Sequence, residues 1–460
     1  FCIMIHNDTI VALATPSGPG AIAIIRLSGK DAIKIASLVF NSVLGKKLAD
    51  QKTHTVHLGN ILDGERIIDE VLATLFKNPQ SYTGENVVEF SCHGSSYIQQ
   101  EIIQLLLRKG CRMATAGEFT LQAFLNGKMD LSQAEAVADL IASDSKASHQ
   151  LAIQQMRGGF TTEIELLRVQ LLDFASLIEL ELDFSEEDVE FASRTDFQKL
   201  IKQISSLLKK LIDSFATGNV LKNGIPVAII GRPNSGKSTL LNALLNEERA
   251  IVSTIAGTTR DTIEDEITID GIRFRFIDTA GIRNTEDEIE KIGVEKALEK
   301  LKKSAIYIYL FDSAEMNLND VQSDLEGFST ESNQLVVANK IDKASESNLK
   351  AIKTNALPIV SISAKKKESI DELKDSLLEL AGKEALDQNH LMVTNSRHYD
   401  ILLKSLEEII KVQNGIDQNL SGDLLTIDLR QALYYLGEIT GKVSNDDLLG
   451  NIFANFCIGK

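Results

Sequence analysis

The sequence predicts a multidomain protein of mixed class: an α+β block at the N-terminus, a helical block, and an α/β block inserted into the helical one. Three observations predict it. The chain has 460 residues, enough for roughly three domains at about 150 residues each. Its six prolines lie at positions 16, 19, 79, 226, 233 and 358, which leaves two long proline-free stretches where helices can run on. Between those stretches, short β-branched runs alternate with helical patterns, the texture of parallel strands joined by crossover helices.

The N-terminal block alternates differently. TIVALAT, AIAIIRL, HTVHLGN, EVLATLF and VVEFSCH read as strands, with helical patterns only near residues 30–40 and 95–109. Thr115-x-x-Glu118 fits a capping box, in which two side chains reciprocally satisfy backbone donors at a helix start. Ser132-x-x-Glu135 fits a second one, opening QAEAVADLIASDSKASHQLAIQQM as one long helix. TEIELLRVQLLDFASLIELEL, DFQKLIKQISSLLKKLIDSF, YDILLKSLEEIIKVQ and DLLTIDLRQALYYLGEIT continue the helical character. PVAII, FRFID, AIYIYLF, QLVVANK and PIVSIS supply the strands of the inserted block. The expected divisions are 1–127 for the α+β domain, 128–217 with 385–460 for the discontinuous helical domain, and 218–384 for the insertion.

Composition narrows the setting. Hydrophobic residues make up 43% and charged residues 25%, an ordinary globular mixture. The 48 Lys+Arg against 65 Asp+Glu give a net charge of -17, which argues against the whole chain acting as a basic nucleic-acid or membrane binder and leaves room for a local basic patch. No run approaches the roughly 18 apolar residues of a membrane span, and no signal-like segment precedes the first strand, so a cytoplasmic setting is expected. Phe1-Cys2-Ile3 reads as a remnant ahead of a natural start at Met4. Cys2, Cys92, Cys111 and Cys457 lack C-x-x-C spacing and predict neither a zinc knuckle nor a disulfide framework. Cys457 stands four from the end, but Gly459 and Lys460 do not suit a prenylation box. A functional terminal thiol and an inert buried cysteine both remain open.

PVAII runs into Gly231-Arg232-Pro233-Asn234-Ser235-Gly236-Lys237-Ser238 and then a helical TLLNALLN, the P-loop pattern in its strand-loop-helix context. Its glycines let successive N–H groups face phosphate oxygens, the helix N-terminus adds its positive dipole end, Lys237 reaches the β/γ-phosphates, and Ser238 ligates magnesium. Asp278-Thr279-Ala280-Gly281 ends the strand FRFID, where a carboxylate holds the magnesium shell and a glycine N–H senses a γ-phosphate. In Asn339-Lys340-Ile341-Asp342, Asp342 can accept from both N1–H and the amino group of guanine, a pair that adenine does not offer. Ser363-Ala364-Lys365 follows the last strand. In this order and spacing the four elements resemble the Ras-like GTPases, and ATP is the weaker reading.

The hydrolytic machinery departs from Ras. The position after the switch glycine, where Ras-like proteins carry a water-orienting glutamine, is Ile282, which has no hydrogen-bonding group. The acidic run Glu286-Asp287-Glu288-Ile289-Glu290 offers carboxylates that can polarise a water. Arg260 and Arg283 are either phosphate contacts or solvated surface arginines. Asn234 places a side-chain oxygen inside the P-loop; with backbone carbonyls from residues 253–259 it can surround a monovalent cation that supplies the positive charge of an arginine finger.

ATPSGPGAIAIIRLSG, SYTGENVVEF, GEFTLQAFLNGKMDLSQAEAVADLI, GRPNSGKST, AGTTRDT, DTAGIR, NKID and SNDDLLGNIFANFCIGK together resemble the tRNA uridine-modification GTPase family MnmE, also called TrmE. The resemblance runs from about residue 8 to residue 460. It implies an N-terminal tetrahydrofolate-binding and dimerisation domain ahead of a G domain inserted into a helical domain. It also implies a homodimer that joins an FAD-dependent partner, MnmG (GidA), in a heterotetramer. Such an assembly installs an aminomethyl-type (carboxymethylaminomethyl) group on C5 of the tRNA wobble uridine, from 5,10-methylenetetrahydrofolate or 5-formyltetrahydrofolate.

By position, the resemblance assigns Arg26, Glu89, Lys128 and Lys460 to folate and Glu290 and Cys457 to catalysis. It assigns Asn234, Ser253, Ile255 and Thr258 to potassium, and Ser238 and Thr259 to magnesium. The GTP contacts it implies are Asn234, Ser235, Gly236, Lys237, Ser238, Thr239, Ser253, Thr258, Thr259, Asp278, Thr279, Ala280, Gly281, Asn339, Lys340, Asp342, Ser363, Ala364 and Lys365. Cys457 as nucleophile, proton donor or structural thiol stays open. The competing reading is a regulatory GTP-binding switch in ribosome or RNA assembly, which would need neither a terminal cysteine nor a folate site.

Overall fold

The computed structural model describes residues 8–183, 194–247, 265–277, 301, 304–328, 333–354, 357–381, 392–418, 420–444, 446–454 and 456–459. They form two compact units. One comprises Phe1–Ala142, Ala152–Lys209 and Asp400–Lys460, the other Ser143–Leu151 and Lys210–Tyr399.

The N-terminal strands are β1 (Ile10–Leu13), β2 (Ile22–Ser28), β3 (Phe40–Ser42), β4 (Thr55–Asp63), β5 (Arg66–Phe76), β6 (Val87–His93) and β7 (Arg112–Met113). They make one sheet in the order β3-β4-β5-β6-β2-β1-β7, antiparallel but for the parallel β1–β7 pair. Helices α1 (Ala32–Val39) and α2 (Ser96–Arg108) cover one face, where Ala23, Ile25, Leu27, Val71, Ala73, Val88 and Phe90 meet Ile35, Ile102 and Leu105 in one core. Side chains alternate across a strand, so the residues between them, Arg26 and Glu89 included, belong to the opposite face. The expected strands and both helices are present.

Helix α3 (Glu118–Leu125) is followed by α4 (Leu131–Ala142), α5 (Lys146–Met156), α6 (Thr161–Asp183) and α7 (Arg194–Asn223). Three local readings need correction. The long helix expected from Ser132 is broken at residues 143–145, where Ser145 and Ser148 bond reciprocally through backbone N–H and hydroxyl and start α5 afresh. The capping box of α4 is Asp130-x-x-Gln133, whose side chains accept from each other's backbone N–H at 2.8 and 2.9 Å; Ser132 and Glu135 lie inside the helix and are buried. At Thr115-x-x-Glu118 only the return half of the box forms. Glu118 accepts from the Thr115 N–H at 2.7 Å, while Gly117 is the N-cap residue and no side chain caps the helix.

The inserted block holds β8 (Ile225–Ile230), α8 (Lys237–Glu247), β9 (Asp265–Ile269), β10 (Ile272–Phe276), β11 (Ile306–Asp312), α9 (Leu318–Glu326), β12 (Asn333–Asn339), α10 (Glu346–Lys353), β13 (Ile359–Ser361) and α11 (Ile370–Leu380). The strand order is β13-β12-β11-β8-β10-β9. Pairing is parallel, as the sequence reading expected, except for β9, an antiparallel edge strand on β10 that the reading did not include. β11 is buried along its whole length. Ile306, Ile308 and Leu310 enter the core on one side, and Tyr307, Tyr309 and Phe311 the core on the other, as a central strand covered on both faces requires.

The chain ends in α12 (Ser396–Asp417), α13 (Gly422–Thr440) and α14 (Asp446–Phe453). Leu449, Phe453 and Phe456 pack with Leu131 and Ala134 of α4, with Leu121 and Phe124 of α3 against them. This packing carries the C-terminal residues to the N-terminal sheet.

Candidate functional site

The buried strand β8 ends at Ile230, and the loop from Gly231 to Gly236 leads directly into α8. The Lys237 ammonium lies over that loop, donating to the carbonyls of Gly231 at 2.9 Å and Arg232 at 3.0 Å. Ser238 and Thr239 are exposed in the first turn of α8, where the helix N-terminus presents backbone donors that no intrahelical carbonyl satisfies. Asn234 is exposed at the crest with φ +61. This arrangement suits a polyphosphate with its magnesium ion.

Asn339, at the end of β12, joins three loops. Its Nδ2 donates to the Ser235 carbonyl at 2.8 Å, and its Oδ1 accepts from the Ala364 N–H at 3.0 Å. Gly236 lies so close beneath this amide that a Cβ there would collide with Asn339 Nδ2, and its φ of +99 already disfavours any side chain. Lys340 donates to the Asn234 carbonyl at 2.7 Å and to Asp312 Oδ2 at 2.6 Å. The Ser363 hydroxyl donates to Asp342 Oδ1 at 2.8 Å. That bond, with a backbone N–H and the nearby Lys366 and Lys343, holds the Asp342 carboxyl below its ordinary value against an opposing desolvation, so it stands ionised, an acceptor of the kind that guanine's N–H groups would need. Thus Asn234, Ser235, Gly236, Lys237, Asn339, Lys340, Asp342, Ser363 and Ala364 are tied into one hydrogen-bonded frame, with Ser238 and Thr239 next to it on α8 and Lys365 adjoining Ala364.

The other set gathers on the N-terminal sheet. β2 and β6 pair Arg26 directly opposite Glu89, and Arg26 Nε meets Glu89 Oε1 at 2.7 Å with both side chains about four-fifths covered. The guanidinium lies 5.8 Å from the Tyr82 ring centroid and 5.6 Å from that of Phe119, a cation–π setting. Its Nη1 donates to the Gly459 carbonyl at 3.3 Å. The tail is fixed there by an antiparallel bridge between Ala116 and Ile458 and by the Gly117 N–H donating to the Cys457 carbonyl at 3.4 Å. Gly459, at φ +98, abuts the Leu13 carbonyl so closely that no Cβ fits. Lys128 is exposed and donates to the Pro79 carbonyl at 3.0 Å, and its stem passes over Gly84, two residues from Tyr82. Cys457 is a free, exposed thiol. Paired charges, two aromatic rings and a lysine suit a ligand with a flat heteroaromatic ring and an anionic tail.

Residues 131–457 match the family model described as MnmE helical domain, and residues 9–128 match that described as GTP-binding protein TrmE N-terminus. The chain belongs to the MnmE (TrmE) family. The tRNA modification GTPase MnmE of Flavobacterium psychrophilum is 63% identical, the alignment covering 99% of this chain and 100% of that protein. The protein of the same name in Bacteroides thetaiotaomicron is 51% identical over the same shares of each chain. A crystal structure of the G domain of the T. maritima FeoB iron transporter is 27% identical and covers 34% of this chain and 98% of that one, with a TM-score of 0.25 too low to add weight.

Of the MnmE-type site residues, Ser253, Ile255, Thr258, Thr259, Asp278, Thr279, Ala280, Gly281, Glu290 and Lys460 lie outside the described residues. Sequence reasoning missed Asp312 as the partner of Lys340, the rings of Tyr82 and Phe119 around Arg26, and the Gly459 carbonyl. Tyr82 and Phe119 sit within the motifs SYTGENVVEF and GEFTLQAF, but nothing in a linear pattern tells a ring that flanks a guanidinium from one that fills a core.

Proposed function

We propose that the chain is a potassium-stimulated GTPase that, with the FAD-dependent partner MnmG, installs an aminomethyl-type (carboxymethylaminomethyl) group on C5 of the tRNA wobble uridine from a one-carbon tetrahydrofolate donor. As a member of the MnmE family it is a GTP hydrolase acting in tRNA modification. The observation that carries the finer reading is the junction of Arg26, Glu89, Tyr82 and Phe119 with the C-terminal tail. A GTP switch has no use for such a site, and a folate-dependent modification requires one.

In this reading Arg26 and Lys128 take the anionic glutamate tail, and Glu89 accepts from the pterin's N–H groups. The one-carbon unit is supplied by the folate, the tail brings Cys457 to it, and Lys460 is a further folate contact. Lys237, Ser238 and Thr259 hold the phosphates and magnesium, Asp342 reads guanine, and Asn234 with the carbonyls of Ser253, Ile255 and Thr258 holds potassium. Glu290 positions the attacking water. A homodimer that forms a heterotetramer with MnmG completes the assembly, and a partner surface or local patch neutralises tRNA phosphates that a chain of net charge -17 repels. The three-domain division at 1–127, 128–217 with 385–460, and 218–384 belongs to the same proposal.

The test is nucleoside analysis of tRNA from a deletion strain complemented with wild type or Cys457→Ser. The proposal expects the wobble modification to be restored by wild type only, GTP hydrolysis to rise when potassium replaces sodium, and the purified protein to bind 5-formyltetrahydrofolate. Normal wobble uridines in the deletion strain, with no folate binding, would establish the regulatory switch instead.

A further inference from the structure

The second residue of the P-loop is braced from behind. Arg232 Nε and Nη2 meet Oδ2 and Oδ1 of Asp324 on α9, both at 2.8 Å, the two-pronged geometry that adds direction as well as strength. Asp324 Oδ2 also accepts from the hydroxyl of Tyr309, a side chain of β11 that is 1% exposed. β11 pairs with β8 so that Tyr309 stands opposite Ile230, one residue before the P-loop begins. The contacts therefore close a ring from β8 through Arg232, Asp324 and Tyr309 back to β8. Burial alone would lift the Asp324 carboxyl, but the guanidinium and the phenol hold it below its ordinary value, so the acceptor stays charged at neutral pH.

While its side chain is held on α9, Arg232 turns its carbonyl into the phosphate loop. That carbonyl accepts from Lys237 Nζ at 3.0 Å and from the Ser235 N–H at 3.3 Å. We propose that Arg232 is a positioning residue for nucleotide binding, the Arg232–Asp324–Tyr309 brace fixing the carbonyl that aims the Lys237 ammonium at the β- and γ-phosphates. The brace contacts the phosphate end of the site directly, whereas Asp342 with Ser363, at the guanine end, meets the P-loop only through Asn339 and Lys340. Because Lys237 contacts phosphate in both ground and transition state, loosening it weakens binding more than turnover.

The inference rests on the GTP reading of the same loop. Its test measures GDP and guanosine affinity, and KM and kcat for GTP, for wild type, Arg232→Gln, Arg232→Lys and Tyr309→Phe in the full-length protein. The half-exposed Arg232 makes the first two variants safe for folding, and thermal unfolding checks the third. Loss of a charge-assisted pair predicts that Arg232→Gln weakens GDP binding and raises KM about tenfold, with guanosine affinity unchanged and kcat within about twofold. Arg232→Lys should recover part of the loss, and Tyr309→Phe should produce a smaller loss of the same kind. GDP and guanosine weakened alike would mean general damage to the unit and overturn the proposal, as would an unchanged GDP affinity. Failure of wild type to bind GDP would instead overturn the GTP reading itself.

Discussion

Replacing Asn339 by alanine tests whether one buried amide holds the phosphate and base loops together. Asn339 is 2% exposed, and both ends of its amide are used, on the Ser235 carbonyl at 2.8 Å and the Ala364 N–H at 3.0 Å. Alanine leaves both backbone groups without that partner. An orphaned buried group costs about 1–3 kcal/mol, so the pair comes to roughly 4 kcal/mol. At about 2–4 °C per kcal/mol for a unit of 150–250 residues, the unfolding transition should fall by roughly 8–16 °C. The assay is calorimetry with and without GDP, following the transition that GDP raises. Asn339→Asp is the companion variant. It keeps the acceptor for Ala364 but turns a second acceptor toward the Ser235 carbonyl, so it should be no more stable than alanine. A fall of less than about 2 °C for both variants, or an aspartate variant near wild type, would refute the reasoning, because the amide would then carry less than about 1 kcal/mol.

Ser235 Oγ is buried and has no hydrogen-bond partner among the described residues, so Ser235→Ala should raise the same transition by roughly 2–4 °C, worth about 1 kcal/mol; an unchanged or lower midpoint in calorimetry would contradict it. Asp342→Asn places a donor against the guanine N–H groups and should weaken GTP about a hundredfold while xanthosine triphosphate binding improves, as competition binding would reveal. Burial alone would raise the Glu118 carboxyl, but Arg112 and Thr115 more than offset it and its folded value lies below the ordinary one. Its stabilisation is therefore present above the unfolded value and lost as pH falls through the folded one, so Glu118→Gln should flatten the loss of stability below about pH 4.5 in acid titration. Gly459→Ala, with no room beside the Leu13 carbonyl, should displace the tail and weaken 5-formyltetrahydrofolate binding about tenfold, measured by fluorescence titration.

The elements that were legible from sequence are those whose cause is local. The P-loop was readable because a glycine loop between a β-branched strand and a helix start has few other uses, and β8 and α8 stand where that pattern places them. The chemistry of Asp342 points to guanine, a role that belongs to the proposed function, and what the structure adds is the Ser363 hydroxyl that orients its carboxylate. The helix starts were less legible. Both Asp130-x-x-Gln133 and Ser132-x-x-Glu135 satisfy the capping pattern, and the first forms because Ser132 is drawn into the interior, where Gln155 bonds its hydroxyl at 3.2 Å. Likewise the break at residues 143–145 rests on two serines capping each other, which helical periodicity does not register. β9 escaped notice because a short edge strand at DEITI carries too brief an alternation to stand out.

The sequence by itself determined the class of each block, the nucleotide chemistry and the family, because hydrophobic period, glycine placement and donor type act within a few residues of one another. Only the tertiary structure decided who meets whom. Arg26 reaches Glu89 across 63 positions and Gly459 across 433. The first contact follows from the register of β2 on β6, the second from the packing of Phe453 and Phe456 on α4. Arg232 finds Asp324 over 92 positions because α9 follows the strand that pairs with β8. Each is a consequence of strand pairing and core burial between distant segments, and such pairings leave no signature in any single window of the chain.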